Sequence, residues 1–144
     1  MIERADTPNR DYALGLARAF AGAILFGLPL LMTMEMWTFG YSAQPGRLLA
    51  FLVANFAVLV VLSRFGGFER TSTLVEDVLD ALAAYAVGIF AAALILTLFG
   101  LIGPELSPSQ AIRMIAVQSV PASFGAMIAR KQLSGDEEEE GGEE

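Results

Sequence analysis

Four long stretches of this chain are apolar and nearly free of charge, and they leave few folds open to it. The clearest runs from Ala81 to Ile102, 22 residues without a charged side chain. As an α-helix it measures roughly 33 Å, enough to cross a hydrocarbon layer of about 30 Å. Thr73-x-x-Glu76 ahead of it has the form of a capping box, and Gly103-Pro104 stops it. The span is expected over about 77–102.

The first span, about 13–39, follows Asp6-Thr7-Pro8, an oxygen cap with Pro at the first helical position. Sixteen uncharged residues separate Arg18 from Glu35, roughly 24 Å of helix. The span is therefore expected to run past Glu35 to the aromatic belt of Trp37, Phe39 and Tyr41. Glu3, Asp6 and Asp11 among its first arginines argue for a retained helix, not a cleaved signal peptide. The second span, 47–65, is bracketed by Arg47 and Arg64, whose stems snorkel toward headgroups. Pro45-Gly46 and Gly66-Gly67 supply its breakers. The fourth, 108–129, opens on a second capping box, Ser107 to Gln110, and carries Arg113, Gln118, Ser119, Pro121 and Ser123. A lipid-exposed helix does not hold that much polarity cheaply, so this one is expected among the others. Pro29 and Pro121 are the expected kinks.

Connections of about five to ten residues make neighbouring helices antiparallel. The expected fold is an all-α integral membrane protein, four antiparallel transmembrane helices in an up-down bundle. One domain covers 1–132, and 133–144 form a disordered acidic tail. A mean hydropathy of +0.56 agrees with membrane residence. The net charge of −7 comes from that tail: seven of the sixteen acids lie in the last nine residues, leaving nine acids against nine bases elsewhere. No basic face is left for nucleic acid. Arg4, Arg10, Arg18, Arg64, Arg70, Arg130 and Lys131 fall on one side of the bundle, Arg47 and Arg113 on the other. The bias places both termini in the cytoplasm of a bacterial inner-membrane protein.

The chain has no Cys, no His and one Lys, Lys131. Thiolate and Ser-His-Asp chemistry and the usual zinc or haem ligands are thereby removed, and no Gly-rich phosphate motif occurs. Neither a catalytic activity nor a cofactor or metal is expected. Met32, Met34 and Met36 read as filler, not copper ligands.

Polar groups inside the spans mark the places where function can sit. Glu35 is an acid within the first span, near Pro29, and such residues mark ion or proton sites. Asn55 and Gln118 are polar groups at the centres of their helices. Glu76, Asp77 and Asp80 cluster at the start of the third span, either as acids favoured by the helix dipole or as a cation-collecting vestibule. Gly15, Ala19, Ala23 and Gly27, all four apart, and Ala84, Gly88 and Ala92 form rows suited to close helix packing. The fourth span adds Ala122 with Ala126 and Gly125 with Ala129. Two functions fit: a module of a cation- or proton-coupled permeation pathway using Glu35, Asn55 and Gln118, or a membrane scaffold that docks other helices.

At Leu28-Pro29-Leu30-Leu31, followed by Thr33-Met34-Glu35-Met36-Trp37 and Gly40, the chain resembles a bacterial family of integral membrane proteins of uncharacterised activity. The resemblance implies a membrane class and no chemistry. It also implies longer relatives with a second acid-bearing membrane half, so the expected partners beyond the lipid bilayer are a second copy or such a half.

Overall fold

The structure, a computed structural model, describes residues 7–65 and 73–140, without the side chains of Thr7, Pro8, Met34, Trp37, Tyr41 and 132–140. The expected belt at Trp37 and Tyr41, the Gly66-Gly67 breaker, Arg4 and Arg70 therefore lie outside the described residues. Five helices follow one another: α1 (Thr7–Leu31), α2 (Met34–Ser42), α3 (Pro45–Phe65), α4 (Leu74–Leu98) and α5 (Pro108–Glu140). Four of them, α1, α3, α4 and α5, are long and apolar enough to cross a membrane.

The first span is not the single helix to Phe39 that the sequence suggests. α1 passes through Pro29 and ends at Leu31, and Thr33 takes an extended conformation. Pro29 has no N–H to offer the carbonyl one turn back. Four residues on, the Thr33 hydroxyl donates to the Leu30 carbonyl at 2.7 Å and the Thr33 N–H donates to the same oxygen. That turn ends α1 and starts α2. With 25 residues, α1 already spans roughly 37 Å, so the extension through Glu35 is not needed. α2 instead packs across the start of α5, where Gly40 lies over the Arg113 carbonyl.

α4 also ends earlier than expected, at Leu98. Gly100 adopts a φ of +71°, and the N–H groups of Leu101 and Ile102 return to the Leu96 carbonyl. This is the left-handed glycine close of a helix, satisfying its last acceptors. The capping box at Ser107 forms as expected: the Ser107 N–H donates to Gln110 Oε1 and the Gln110 N–H to Ser107 Oγ. α5 remains helical to Glu140, beyond the expected end near Ala129.

α5 is the centre of the bundle. Of its apolar span 61% is buried, against 22–39% for the other three. It packs chiefly on α1 and α4, with α3 against the opposite side of α4 and α5. Gly22 meets Gly125 and Gly27 meets Gln118, while Asp80 meets Arg130 and Gly88 meets Ser123, so α1 and α4 both run antiparallel to α5, as the up-down order requires. The polarity that made this span the weakest lipid-facing candidate is what places it inside.

Two approaches fix α5. A Cβ on either Gly22 or Gly125 would collide with the partner's backbone carbonyl, and a Cβ on Gly88 would lie 2.7 Å from the Ser123 nitrogen. Ala19, Ala23 and Ala84, Ala92 from the expected rows are buried beside these crossings. Gly27 meets Gln118 and Ala122 at ordinary distance, whereas nothing lies within 4 Å of a Cβ on Gly15. Gly22→Ala, Gly125→Ala and Gly88→Ala should therefore each lower stability by about 1–3 kcal/mol through overpacking against backbone. Gly15→Ala should be neutral or stabilise by up to roughly 1 kcal/mol through helix propensity. Thermal unfolding in detergent measures all four; equal effects at Gly15 and Gly22 would contradict this packing.

Candidate functional site

The buried faces of α3, α4 and α5 carry polar groups at two levels. On α4 the buried positions Asp77, Ala81, Ala84, Gly88, Ala91 and Ile95 repeat in alternating steps of four and three. That is the seam of a helix packed at a shallow angle, and Asp77 belongs to it. α3 presents Leu48, Asn55, Leu59 and Ser63.

At one level, Ser63 Oγ donates to Asp77 Oδ1 at 3.2 Å, and both residues are 2% exposed. The Lys131 ammonium donates to the Ser63 carbonyl. Ser63 thus links the carboxylate on α4 to the cation on α5. The other carboxylate oxygen, Asp77 Oδ2, is buried without a hydrogen-bond partner.

At the second level, Asn55 Nδ2 donates to Ser123 Oγ at 3.2 Å, and Ser123 Oγ donates to the Val120 carbonyl at 2.8 Å. Asn55 Oδ1 is buried and unpartnered, and so is the Tyr85 hydroxyl, whose ring packs edge-on against Phe56 of α3. Gly88 sets this level, because its missing side chain lets α4 approach Ser123.

On all three helices the two levels are eight residues apart: Asn55 and Ser63, Tyr85 and Asp77, Ser123 and Lys131. Eight residues of helix separate them by about 12 Å. Midway on each helix lie Leu59, Ala81 and Met127, all at most 1% exposed and in one apolar cluster. The seam is therefore a polar layer, an apolar layer and a second polar layer. Among the described residues, its two levels hold every buried side-chain oxygen that lacks a partner.

The residues singled out in the sequence do not converge here. Of the polar residues among them only Asn55 and Asp77 are in the seam, with Ala84 and Gly88 from the packing row. Gln118 faces the other way, donating to the Gly27 carbonyl of α1 at 2.6 Å. Glu35 is exposed in the first turn of α2, where a helix dipole favours an acid. The three acids of α4 separate into three roles. Glu76 accepts from the Thr73 N–H, Asp80 pairs with Arg130 at 3.2 Å near the surface, and Asp77 is enclosed. Pro121 sits in buried surroundings, flanked by Ser119 and Ser123, whose hydroxyls donate to backbone carbonyls three residues back. Ser63, Tyr85, Ser123 and Lys131 were not legible as site residues. The four-three alternation on α4, read back from Gly88, reaches Asp77 and was the available signal. No group of three or more metal-ligating side chains converges among the described residues.

A family model described as "putative integral membrane protein (DUF2391)" matches residues 15–144. The chain belongs to this family. The match covers all of the seam and agrees with four membrane-spanning helices. Comparisons with curated proteins and with solved structures each found no match.

A buried acceptor without a donor costs about 1–3 kcal/mol, so the two levels differ in what substitution should do. Ser63→Ala strips Asp77 of its hydroxyl donor and should cost about 1–3 kcal/mol. Asn55→Val removes an unsatisfied oxygen while Ser123 keeps its bond to Val120, so stability should stay within roughly 0.5 kcal/mol of the parent. Unfolding midpoints of the two variants in the same detergent test this contrast, which fails if Asn55→Val is the more damaging.

Proposed function

We propose that the chain is a module of a proton- or cation-coupled membrane pathway in which Asp77, not Glu35, is the working carboxylate. The observation that supports this reading is the set of three unpartnered buried oxygens on one seam, Asp77 Oδ2, Asn55 Oδ1 and the Tyr85 hydroxyl. Groups left unsatisfied among helices in lipid are expensive. Their placement at two levels along one line gives a proton or small cation successive acceptors. Lys131 supplies the resting counter-charge through Ser63, and an entering cation or proton takes over that role. The layer of Leu59, Ala81 and Met127 is a hydrophobic constriction that opens by hydration.

The proposed orientation follows from charge. Helix directions bring Arg10, Arg18, Arg64, Arg130 and Lys131 to one end of the bundle, which we call the basic end, and Arg47 and Arg113 to the other. Basic loops face the cytoplasm, so the termini are cytoplasmic and Asp77 lies toward that side of a bacterial inner membrane. A cysteine at Ser42 should then react with an impermeant thiol reagent from the periplasmic side, and one at Ser134 only in inverted vesicles. The reverse pattern overturns the orientation.

Flux tests the pathway itself. In proteoliposomes driven by a pH or sodium gradient, Asp77→Asn should abolish transport and Asn55→Val should lower it at least tenfold, while Glu35→Gln leaves it unchanged. Loss of flux in Glu35→Gln with retention in Asp77→Asn would sink the assignment. Absence of flux in the parent chain under both gradients would favour the scaffold role instead.

A further inference from the structure

On the face of the bundle away from α3, α1 and α4 run parallel and touch, leaving a groove along the outer side of their contact. Two adjoining cavities lie along it. One, of about 190 Å³, lies at the basic end between α1, α4 and α5 and has Asp11, Tyr12 and Arg130 in its wall. The other, of about 520 Å³, shares Leu16 and Val87 with the first and continues along the α1–α4 groove between almost wholly apolar walls. Phe20 and Phe90, with ring centroids 5.9 Å apart, stand at its inner end. The open space beside Gly15 belongs to the first cavity, which explains why that glycine meets no other helix.

We propose that this slot binds one phospholipid of the leaflet at the basic end, with a zwitterionic headgroup of phosphate and primary ammonium. Three features select that ligand. From Asp11 to Phe20 the slot follows nine residues of helix, about 14 Å, which matches half of a hydrocarbon layer of about 30 Å. An acyl chain laid in it ends on the aromatic pair at the bilayer centre. The mouth carries both charges, Arg130 for the phosphate and Asp11 for the ammonium. A guanidinium presents five N–H donors in a fixed fork, so Arg130 can hold a phosphate oxygen in addition to Asp80, one of the groups it meets. The walls are small where the chain passes, at Ala13, Ala17 and Ala86. Phosphatidylethanolamine has this chemistry. The site shares Ala84 with the α4 seam but none of its unpartnered oxygens, and its occupancy does not require transport.

Native mass spectrometry of the full chain in mild detergent, titrated separately with phosphatidylethanolamine, phosphatidylglycerol and phosphatidylcholine, tests the proposal. One phosphatidylethanolamine should bind at least fivefold more tightly than either of the others. Asp11→Asn should erase that preference. Ala17→Trp, on an exposed position of the groove wall, should fill the slot and weaken binding at least tenfold without lowering the unfolding temperature. Soluble phosphoethanolamine should not compete, because the apolar slot supplies most of the affinity. Equal or tighter binding of phosphatidylglycerol overturns the zwitterionic assignment. Unchanged binding in Ala17→Trp places the lipid elsewhere, and a dimer that Ala17→Trp dissociates would make a second copy the occupant.

Discussion

Gly22 and Gly125 bring the backbones of α1 and α5 into direct contact, and the rest of the bundle is arranged around that contact. Lipid tails are as apolar as leucine, so burying apolar surface gives helices in a bilayer little reason to associate. What remains is dispersion between closely approaching atoms, which falls steeply with separation, and hydrogen bonds that require short reach. Both depend on the absence of a Cβ at two crossings. The Gly88 approach does for α4 what Gly22 does for α1. Once α5 is seated, Gln118 reaches the Gly27 carbonyl and Ser123 reaches Asn55. Close packing and polar satisfaction are thus one device: the first brings the second within range.

The sequence conveyed the class of the protein well because span length is a property of composition over twenty residues. It also conveyed that the polar fourth span belongs inside, since Gln118, Ser119 and Ser123 have no cheap place in lipid. It was less informative where a single contact decides. Counted from Arg18, the uncharged run falls short of a bilayer and draws Glu35 into the first span, whereas α1 begins at Thr7 and reaches spanning length by Leu31. Gly22 belongs to no row of small residues spaced in fours, because Arg18 and Phe26 stand at those positions. Asp77 was grouped with Glu76 and Asp80 by proximity in sequence. Glu76 and Asp80, four apart, share the outer face of α4, whereas Asp77 is turned about 100° from Glu76 into the bundle, as the four-three spacing from Gly88 indicates.

The two sides of the bundle differ in how completely they are satisfied. Between α1 and α5 the crossing is tight and the Gln118 amide donates to backbone. On the other side, the α3–α4–α5 seam retains Asp77 Oδ2, Asn55 Oδ1 and the Tyr85 hydroxyl without partners. Polar groups that serve only to fix helix register are served best by full pairing. A seam that leaves acceptors open at two levels, 12 Å or so apart along the helices, is better suited to groups that exchange partners than to groups that lock a fold.

One of the three unpartnered oxygens, Asn55 Oδ1, belongs to the least embedded helix, α3, which faces the other two on α4. Only 22% of the α3 span is buried, the lowest of the four, while α1, α4 and α5 hold one another through the two backbone approaches. Asn55, Leu59 and Ser63 all lie on the buried side of α3. A small rigid shift of α3 therefore moves a polar group, an apolar plug and a second polar group together against a fixed partner surface. Packed interfaces switch between discrete arrangements more readily than they deform. With α3 seated, the apolar layer at Leu59 and Met127 separates the two polar levels. Withdrawal of the helix by the width of a water molecule would join them without disturbing the core that Gly22, Gly88 and Gly125 define.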